Sequence, residues 1–383
     1  LLPKRYVLRV EKDGYQSWQK VVRVPEGEVL EFRNVFLPPA TVTPSLIFNT
    51  RKQLPARVVR LAGRGELGLE VGKPGSAAAV FIINPETRIA GTNLINVNRW
   101  FWDDKSEEVI IGRQLQGKTI WFRLPSLSNP DVKEERITFK GLPAGFSAEG
   151  LWPHPKNPRE FYFFAGGSLF LQGKASVPVP IAEKIQAYAV APEHIYFISD
   201  NGFFVESDLE GGIVKVLGRK GLFIDKEKPV RIIVSSSGNV AVLDSSGGLF
   251  VYRPGVDVEL NIISGNVTSV DFDDKDSRMF FADSRRLWIY WLKDNRAQPF
   301  DIGGTKKQIF SSDDDVREAY LNSGGTYVFF STKNGIYMTE VDNRADTNTY
   351  KLVDSAVTSF VIDKEGANIY WTKEQFLYRA PLK

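Results

Sequence analysis

The side chains of this chain that could do chemistry are mostly carboxylates, and the densest group of them lies at residues 271–276. Alternating acids of this kind are typical of calcium loops. A loop of the EF-hand type beginning at Asp271 needs glycine at its sixth position and glutamate at its twelfth, where this chain has Asp276 and Ala282. A second acidic run at residues 313–315 follows two serines and precedes an apolar strand, which is typical of a solvated connection.

Three aspartates recur at the same point in the chain pattern, directly after an apolar strand: Asp103, Asp273 and Asp363. A catalytic residue has no reason to repeat in this way, whereas aspartate is common in tight turns because its carboxylate accepts hydrogen bonds from nearby backbone. We therefore expect these acids to form turns, and we predict no metal site.

The sequence contains few residues or motifs that could act as a nucleophile or bind a cofactor. The 383 residues contain no cysteine, which excludes a disulfide scaffold, a Cys-ligated zinc and thiol catalysis. The two histidines, His154 and His194, are each expected in a surface loop. No Gly-x-Ser-x-Gly elbow, phosphate loop or dinucleotide fingerprint occurs. The sequence predicts no catalytic residue and no cofactor, and a hydrolase with two opposed carboxylates stays the alternative.

The net charge and the hydropathy of the chain bear on two kinds of partner, nucleic acids and membranes. The formal net charge of +3 is small for this length and gives no sign of a nucleic-acid partner. No stretch reaches the roughly 18 apolar residues that a membrane-spanning helix needs.

Exposed aromatic and basic side chains are the candidates for binding, because aromatic faces often form platforms for sugars or proteins. Two short patches stand beside predicted turns, and their residues form the predicted ligand face: Trp100, Phe101, Asp103, Arg285 and Arg286.

An apolar strand, a polar turn and two further β-rich strands recur along the chain, and residues 230–253 are the clearest copy. The last apolar residue before the first turn of each copy falls at Leu61, Trp102, Trp152, Val190, Val234, Phe272, Leu321 and Ile362. Their mean spacing of about 43 residues matches one four-stranded propeller blade, at roughly 40–50 residues.

The repeat predicts an all-β fold, an eight-bladed β-propeller over residues 57–383, or a seven-bladed one if residues 58–85 are an appendage. Most copies carry a fourth strand, but the last copy ends after three. Since a propeller must cover its open edges, we expect residues 45–49, within a linker at 41–56, to complete the last blade. The tryptophans Trp102 and Trp152 are expected in the core.

Residues 1–40 have a different pattern: Tyr6, a Gly14-Tyr15 turn with Trp18 three residues later, and a closing Val-Phe-Leu-Pro at residues 35–38. This pattern resembles the C-terminal part of a PEGA domain, a small extracytoplasmic β-module. The rest of the chain is similar to the WD40-like or YWTD-like propellers that follow such modules in bacterial envelope proteins; residues 369–372 read Ile-Tyr-Trp-Thr.

The resemblance implies an extracytoplasmic protein, at the cell surface or in the periplasm, anchored through an N-terminal membrane helix that this chain does not include. Together with the missing catalytic signatures, it favours a non-catalytic binding or scaffolding role, with an envelope protein or polysaccharide as partner. A propeller hydrolase acting on envelope polysaccharide or peptide is the alternative.

Overall fold

The computed structural model describes residues 4–51, 54–60, 67–73, 76–87, 89–103, 108–116, 118–124, 134–139, 148–157, 160–173, 177–218, 222–225, 228, 230–296, 298–342, 344–363 and 365–383. These residues form 33 β-strands joined by turns and contain no helix. It follows that no described segment is a helix of the length and apolarity needed to span a membrane.

The chain begins with an antiparallel hairpin of β1 (Lys4–Val10) and β2 (Trp18–Val24), in which Lys4 pairs with Val24 and Val10 with Trp18. Strand β2 alternates buried and exposed residues along its whole length. Because alternate residues of a strand point to opposite faces, β2 buries one face and exposes the other, whereas no residue of β1 is fully buried.

The first two blades form one continuous seven-stranded sheet in chain order: β4 (Ala56–Arg60), β5 (Leu67–Lys73), β6 (Ser76–Asn84), β7 (Ile89–Asp103), β8 (Glu108–Leu115), β9 (Lys118–Leu124) and β10 (Glu135–Arg136). The 15-residue strand β7 pairs with β6 up to Val97 and with β8 from Val97 onward. A register shift between Val97 and Arg99 marks the change of partner. One strand thus ends the first blade and begins the second, because no glycine or proline turn interrupts it there.

Blades 3 to 5 are four-stranded antiparallel sheets in chain order. Their strands are β11 (Gly150–Pro153), β12 (Phe161–Ala165), β13 (Ser168–Gln172), β14 (Val179–Ala182), β15 (Ile185–Val190), β16 (Ile195–Ser199), β17 (Phe204–Ser207), β18 (Ile213–Gly218), β19 (Arg231–Val234), β20 (Val240–Leu243), β21 (Leu249–Tyr252) and β22 (Asn261–Ser264).

Blades 6 and 7 have the same order, and blade 8 takes its fourth strand from the start of the chain. Their strands are β23 (Val267–Phe272), β24 (Arg278–Asp283), β25 (Arg286–Trp291), β26 (Lys306–Ser311), β27 (Glu318–Leu321), β28 (Tyr327–Thr332), β29 (Gly335–Glu340), β30 (Thr349–Val353), β31 (Ser359–Ile362), β32 (Asn368–Lys373), β33 (Phe376–Pro381) and, completing blade 8, β3 (Ser45–Asn49). Ser45 pairs with Arg379 and Asn49 with Phe376. The predicted closing strand is confirmed, and the fold class is an eight-bladed β-propeller.

The chain divides into two compact units. One contains residues 1–60 and 267–383, and the other contains residues 61–266. In the first unit, buried aromatic and aliphatic residues pack between blades 6 and 7 and between blades 7 and 8, with Phe330 and Phe360 among the largest. In the second unit, Tyr196 and Tyr252 lie in the core shared by blades 4 and 5. Packing of blade against blade therefore supplies the apolar core of each unit.

The N-terminal segment, residues 4–40, belongs to the first unit and docks on blade 7. The fully buried Lys20 donates from Nζ to the backbone carbonyls of Asp342, Arg344 and Asp346, at 2.6, 3.0 and 3.1 Å. Tyr327 donates from its hydroxyl to the carbonyl of Asn34 at 3.2 Å. The segment is thus integrated into the propeller unit by buried polar contacts.

Candidate functional site

The first predicted ligand patch lies on β7. The indole Nε1 of Trp100 donates to Glu70 Oε1 at 2.6 Å, and a Cβ placed on Gly68 would lie 2.2 Å from the Trp100 ring. Trp100 therefore packs closely on the neighbouring backbone of its own sheet. The backbone of Phe101 and Asp103 belongs to β7, but their side chains lie outside what the structure describes.

The second predicted patch lies at the turn between β24 and β25, in the first unit. Arg286 Nη2 lies 2.9 Å from Asp283 Oδ2, and its guanidinium stands 5.4 Å from the ring centroid of Trp288. Arg285 Nε lies 3.3 Å from Asp315 Oδ1, with both side chains largely exposed. Both arginines are engaged by carboxylates of the same unit, and their role in ligand binding stays a prediction.

Two of the three recurring acids, Asp273 and Asp363, form turns, as expected, whereas the side chain of Asp103 lies outside the described residues. Asp273 Oδ1 accepts hydrogen bonds from the backbone N–H groups of Ser277 and Arg278 at 2.7 and 2.9 Å. Asp363 Oδ1 accepts from the N–H of Ala367 at 2.7 Å in the equivalent turn of blade 8. Among the described residues, no group of three or more acidic or histidine side chains could hold a metal ion.

The turn of blade 3 departs from the sequence prediction at two residues. His154 was expected at the surface but is buried, and its Nδ1 accepts from the backbone N–H groups of Lys156 and Asn157, each at 3.1 Å. Its ring stacks on Tyr162, so the histidine takes the place that aspartate holds in other blades. Trp152 was expected in the core but is 46% exposed. Trp152 lies in β11 just before that turn, and its side chain points to a face of the strand that is not covered.

The other histidine, His194, lies in the turn between β15 and β16, as expected, and its side chain is 35% exposed. Its Nδ1 lies 3.7 Å from Oε1 of the buried Glu206. Glu206 Oε2 also accepts from the hydroxyl of Tyr252 at 2.9 Å. Burial and the adjacent Glu206 carboxylate raise the pKa of Tyr252 well above its usual range. The cluster joins blades 4 and 5 through a buried carboxylate.

A cavity of about 280 Å³ lies on the first strands of blades 6 to 8 and on β4, within the first unit. Asp271, Tyr320 and Arg57 line it, and Glu318 is close by, since its Oε1 lies 3.8 Å from Arg57 Nε. Desolvation raises the pKa of Glu318 above its ordinary value, and burial raises the pKa of Tyr320 to about 12.

A glycosidase-like pair would need a second acid whose pKa is lowered at the same place. Glu31 and Glu193 have a lowered pKa, each held down by an exposed cationic neighbour, Arg33 and Lys156 respectively. Neither of these two acids lines this cavity. The acid that lines it near Glu318 is Asp271, so a pair of carboxylates at this place stays the alternative.

The second unit exposes a set of aliphatic side chains on or just before the last strands of blades 3, 4 and 5. We call these residues the outer-strand surface: Val177, Val179, Ile213, Val214, Val216, Val256, Val258 and Ile262. Val258 is 81% exposed and Ile213 is 67% exposed. Exposed apolar groups of this density mark interaction sites on many proteins.

Contacts between neighbouring blades make the outer-strand surface continuous. A Cβ placed on Gly211, before β18, would lie 3.0 Å from the carbonyl oxygen of Ile181 in β14. Lys215 of β18 donates from Nζ to the carbonyl of Asp257, before β22, at 3.1 Å. The sequence predicted residues 213–218 as a fourth strand but not their exposure. The available signal was the aliphatic residues Ile213, Val214 and Val216 in the last strand of a blade, which is an edge strand. The register of β18 against β17 shifts between Ile213 and Lys215, so strict alternation of faces does not hold there.

Comparison with known proteins supports the fold alone. No family model and no curated protein matches the chain. Similar solved structures include the computationally designed Ika8 protein, at 10% identity and a TM-score of 0.56, with 88% of this chain and 99% of that chain covered. The β-propeller domain of Myceliophteria thermophila Cps50 (Swd1) is 12% identical, with a TM-score of 0.51 over 89% of this chain and all of that one. A eukaryotic initiation factor is 10% identical, with a TM-score of 0.55 over 96% and 89%.

These similarities and the sheet topology define the fold: this is an all-β protein with an eight-bladed β-propeller. Propellers of this kind often serve as protein-binding scaffolds, and a shared fold selects no particular ligand.

Proposed function

We propose that this protein is a non-catalytic binding scaffold whose partner is another protein docking on the outer-strand surface. The observation that carries the proposal is the exposure of three aliphatic side chains along β18, Ile213, Val214 and Val216. Strand β18 is the last strand of its sheet, so one of its edges has no neighbouring strand in that sheet. An exposed apolar edge strand favours association with another chain.

The partner we propose presents an extended segment that pairs with the edge of β18 and covers its aliphatic side chains. Soluble proteins often protect an edge strand with a lysine that points into solvent. The lysine of β18, Lys215, instead folds back, with its ammonium bonded to Asp257 and 5.2 Å from the ring centroid of Tyr252. The edge is thus left available for pairing.

A non-catalytic role is proposed because the sequence carries no catalytic signature and its acidic turns repeat from blade to blade. The alternative is a hydrolase acting on envelope polysaccharide or peptide at the cavity near Glu318. Turnover of such a substrate that is lost in Asp271→Asn would favour it over the scaffold.

The proposed location is extracytoplasmic, with anchorage through a segment outside this chain, and it rests on the resemblance of residues 1–40 to a PEGA module. An envelope protein is accordingly the proposed kind of partner, with an envelope glycan bound at the predicted ligand face as the second candidate. A reporter that is active on one side of the membrane only, fused to the C-terminus, tests this location. Activity in the cytoplasm would contradict it.

Charge substitution on the outer-strand surface tests the proposed function. Val214→Lys and Val216→Lys together are expected to weaken capture of a single, identified partner in quantitative affinity purification by about tenfold or more. Val7→Lys is the matched control, since Val7 is 62% exposed in the other unit. Equal recovery of every co-purified protein from both variants would contradict the proposal. Loss of self-association alone would show that the occupant is a second copy.

A further inference from the structure

A cavity lies within the first unit, between the N-terminal segment and blades 6 and 7. Its volume is about 450 Å³, inside the range of roughly 300–1,000 Å³ that is common for small-molecule sites. Phe32, Arg33 and Asn34 line it from the N-terminal segment, while Trp291 and Lys293 line it from blade 6.

One buried donor at this cavity has no acceptor. Trp291 is 4% exposed, and its indole Nε1 has no hydrogen-bond partner among the described residues. Other described tryptophans satisfy the same group: Trp18 donates to Glu340 at 3.0 Å and Trp121 to the carbonyl of Ala148 at 2.8 Å. The ring of Trp291 thus forms part of the cavity wall, while its N–H is enclosed by protein and is not exposed to a ligand in the cavity.

The charges around the cavity favour an anion. Two lining acids are already neutralised, Glu340 by Lys20 at 2.8 Å and Asp342 by Arg344 at 2.6 Å. A third, Asp294, accepts from the backbone N–H of Gly303 at 2.9 Å.

The lining ammonium groups outnumber that remaining carboxylate. Lys275 and Lys293 are exposed and form no ion pair in the described part of the chain, and Lys293 donates to the carbonyl of Lys275 at 3.2 Å. Two ammonium groups beside one carboxylate, Asp294, leave an excess of positive charge and of hydrogen-bond donors.

We propose that this cavity binds a small oxyanion, a carboxylate or phosphate carried on a molecule of mono- or disaccharide size. Lys275 and Lys293 supply charge-assisted bonds to the anionic group, and the ring of Trp291 forms part of the wall beside them. The site is distinct from the outer-strand surface, which belongs to the other unit, and it stands or falls independently of the scaffold role.

Calorimetric titration of the purified protein with glucuronate, glucose 6-phosphate and neutral glucose tests the site and separates the two anion sources. Binding of glucuronate identifies a carboxylate ligand, and binding of glucose 6-phosphate identifies a phosphate ligand. Either result is expected to weaken with added salt and to be at least about tenfold tighter than glucose binding. Glucose binding as tight as that of both anions, or no binding of either anion at millimolar concentration, would overturn the proposal.

Variants locate the binding in this cavity. Lys275→Gln with Lys293→Gln is expected to weaken anion binding about tenfold or more, whereas Lys373→Gln, an exposed lysine of the same unit that does not line the cavity, leaves it unchanged. Unchanged anion affinity in the double lysine variant would place the anion elsewhere and refute the site.

Discussion

Lys20 Nζ lies 2.8 Å from Glu340 Oε1, and the two side chains are 0% and 5% exposed. This ion pair joins the hairpin strand β2 to the end of β29, and it is supported by the carbonyls that Lys20 also contacts. A buried charge destabilises the folded protein unless its ion-pair and hydrogen-bond partners are all present. The N-terminal segment is therefore held to blade 7 by a buried ion pair, and loss of either charge is expected to destabilise the protein.

Removing the cation from this pair is expected to destabilise the protein. Lys20→Met leaves the carboxylate of Glu340 buried without its partner, which costs about 3–5 kcal/mol in comparable cases. Chemical denaturation followed by fluorescence measures the loss. Arg9→Met is the matched control, because the Arg9–Glu11 pair of the same hairpin is exposed and is worth at most about 1 kcal/mol. Equal stability of the two variants would contradict the assigned role of Lys20.

The turn at Asp273 is expected to depend on its carboxylate and not on calcium. Asp273→Ala removes the acceptor of two backbone N–H groups from a buried position and is expected to cost about 2–4 kcal/mol. Asp274→Ala, at the exposed neighbouring residue, is expected to stay within about 0.5 kcal/mol of the parent protein. Thermal unfolding with calcium or with a chelator is expected to give the same Tm for the parent. A calcium-dependent rise in Tm would show a cation site instead.

Close packing of Trp100 over Gly68 predicts that a single methyl group disrupts the second unit. Gly68→Ala is expected to cost about 1–3 kcal/mol, since its Cβ would overlap the indole and force either the ring or the strand to move. Gly265→Ala in the same unit has open space around the added Cβ and serves as the control. Denaturation midpoints compare the two. A neutral Gly68→Ala would show that the indole is free to leave, as a ligand-binding tryptophan needs to be.

The raised pKa of Glu318 is expected to make the free energy of unfolding depend on pH. Because burial raises its pKa, the folded protein binds a proton here more tightly than the unfolded chain does. The stability present below the ordinary glutamate pKa is therefore lost as pH rises through the pKa of the folded state. Glu318→Gln keeps an acceptor for the N–H of Phe360 without the charge.

The Glu318→Gln variant is thus expected to gain Tm over the parent at about pH 8 and to lose that gain at about pH 4. Thermal unfolding of both proteins across this range measures the difference. A difference in Tm that does not change with pH would show that the carboxyl titrates normally.

The blade repeat could be predicted from the sequence because each blade contains the same local pattern. Apolar strands recur, and a polar side chain accepts backbone hydrogen bonds in the turn between them. Asp273 and Asp363 accept such hydrogen bonds in the structure, as their positions in the sequence predicted. The same reasoning found the strand β3 for blade 8, since an open edge needs a cover.

What the sequence could not supply were the partners that lie far apart along the chain. Alternation in β2 places Lys20 on the face of Trp18 and Val22, but nothing local indicates that Glu340 meets it there. His154 and Trp152 were misplaced for a related reason. A local pattern shows which side a residue faces but not whether a neighbouring blade covers that side.

The central claim, that a protein partner docks on the outer-strand surface, is tested most directly by residue-specific photo-crosslinking in cells that express the protein. A photoreactive amino acid at Val214 is expected to give one crosslinked partner, with the link mapped to an extended segment of that partner. The same amino acid at Val7 is expected not to capture it. A crosslink from Val214 only to a second copy of this chain, or none at all, would contradict the account.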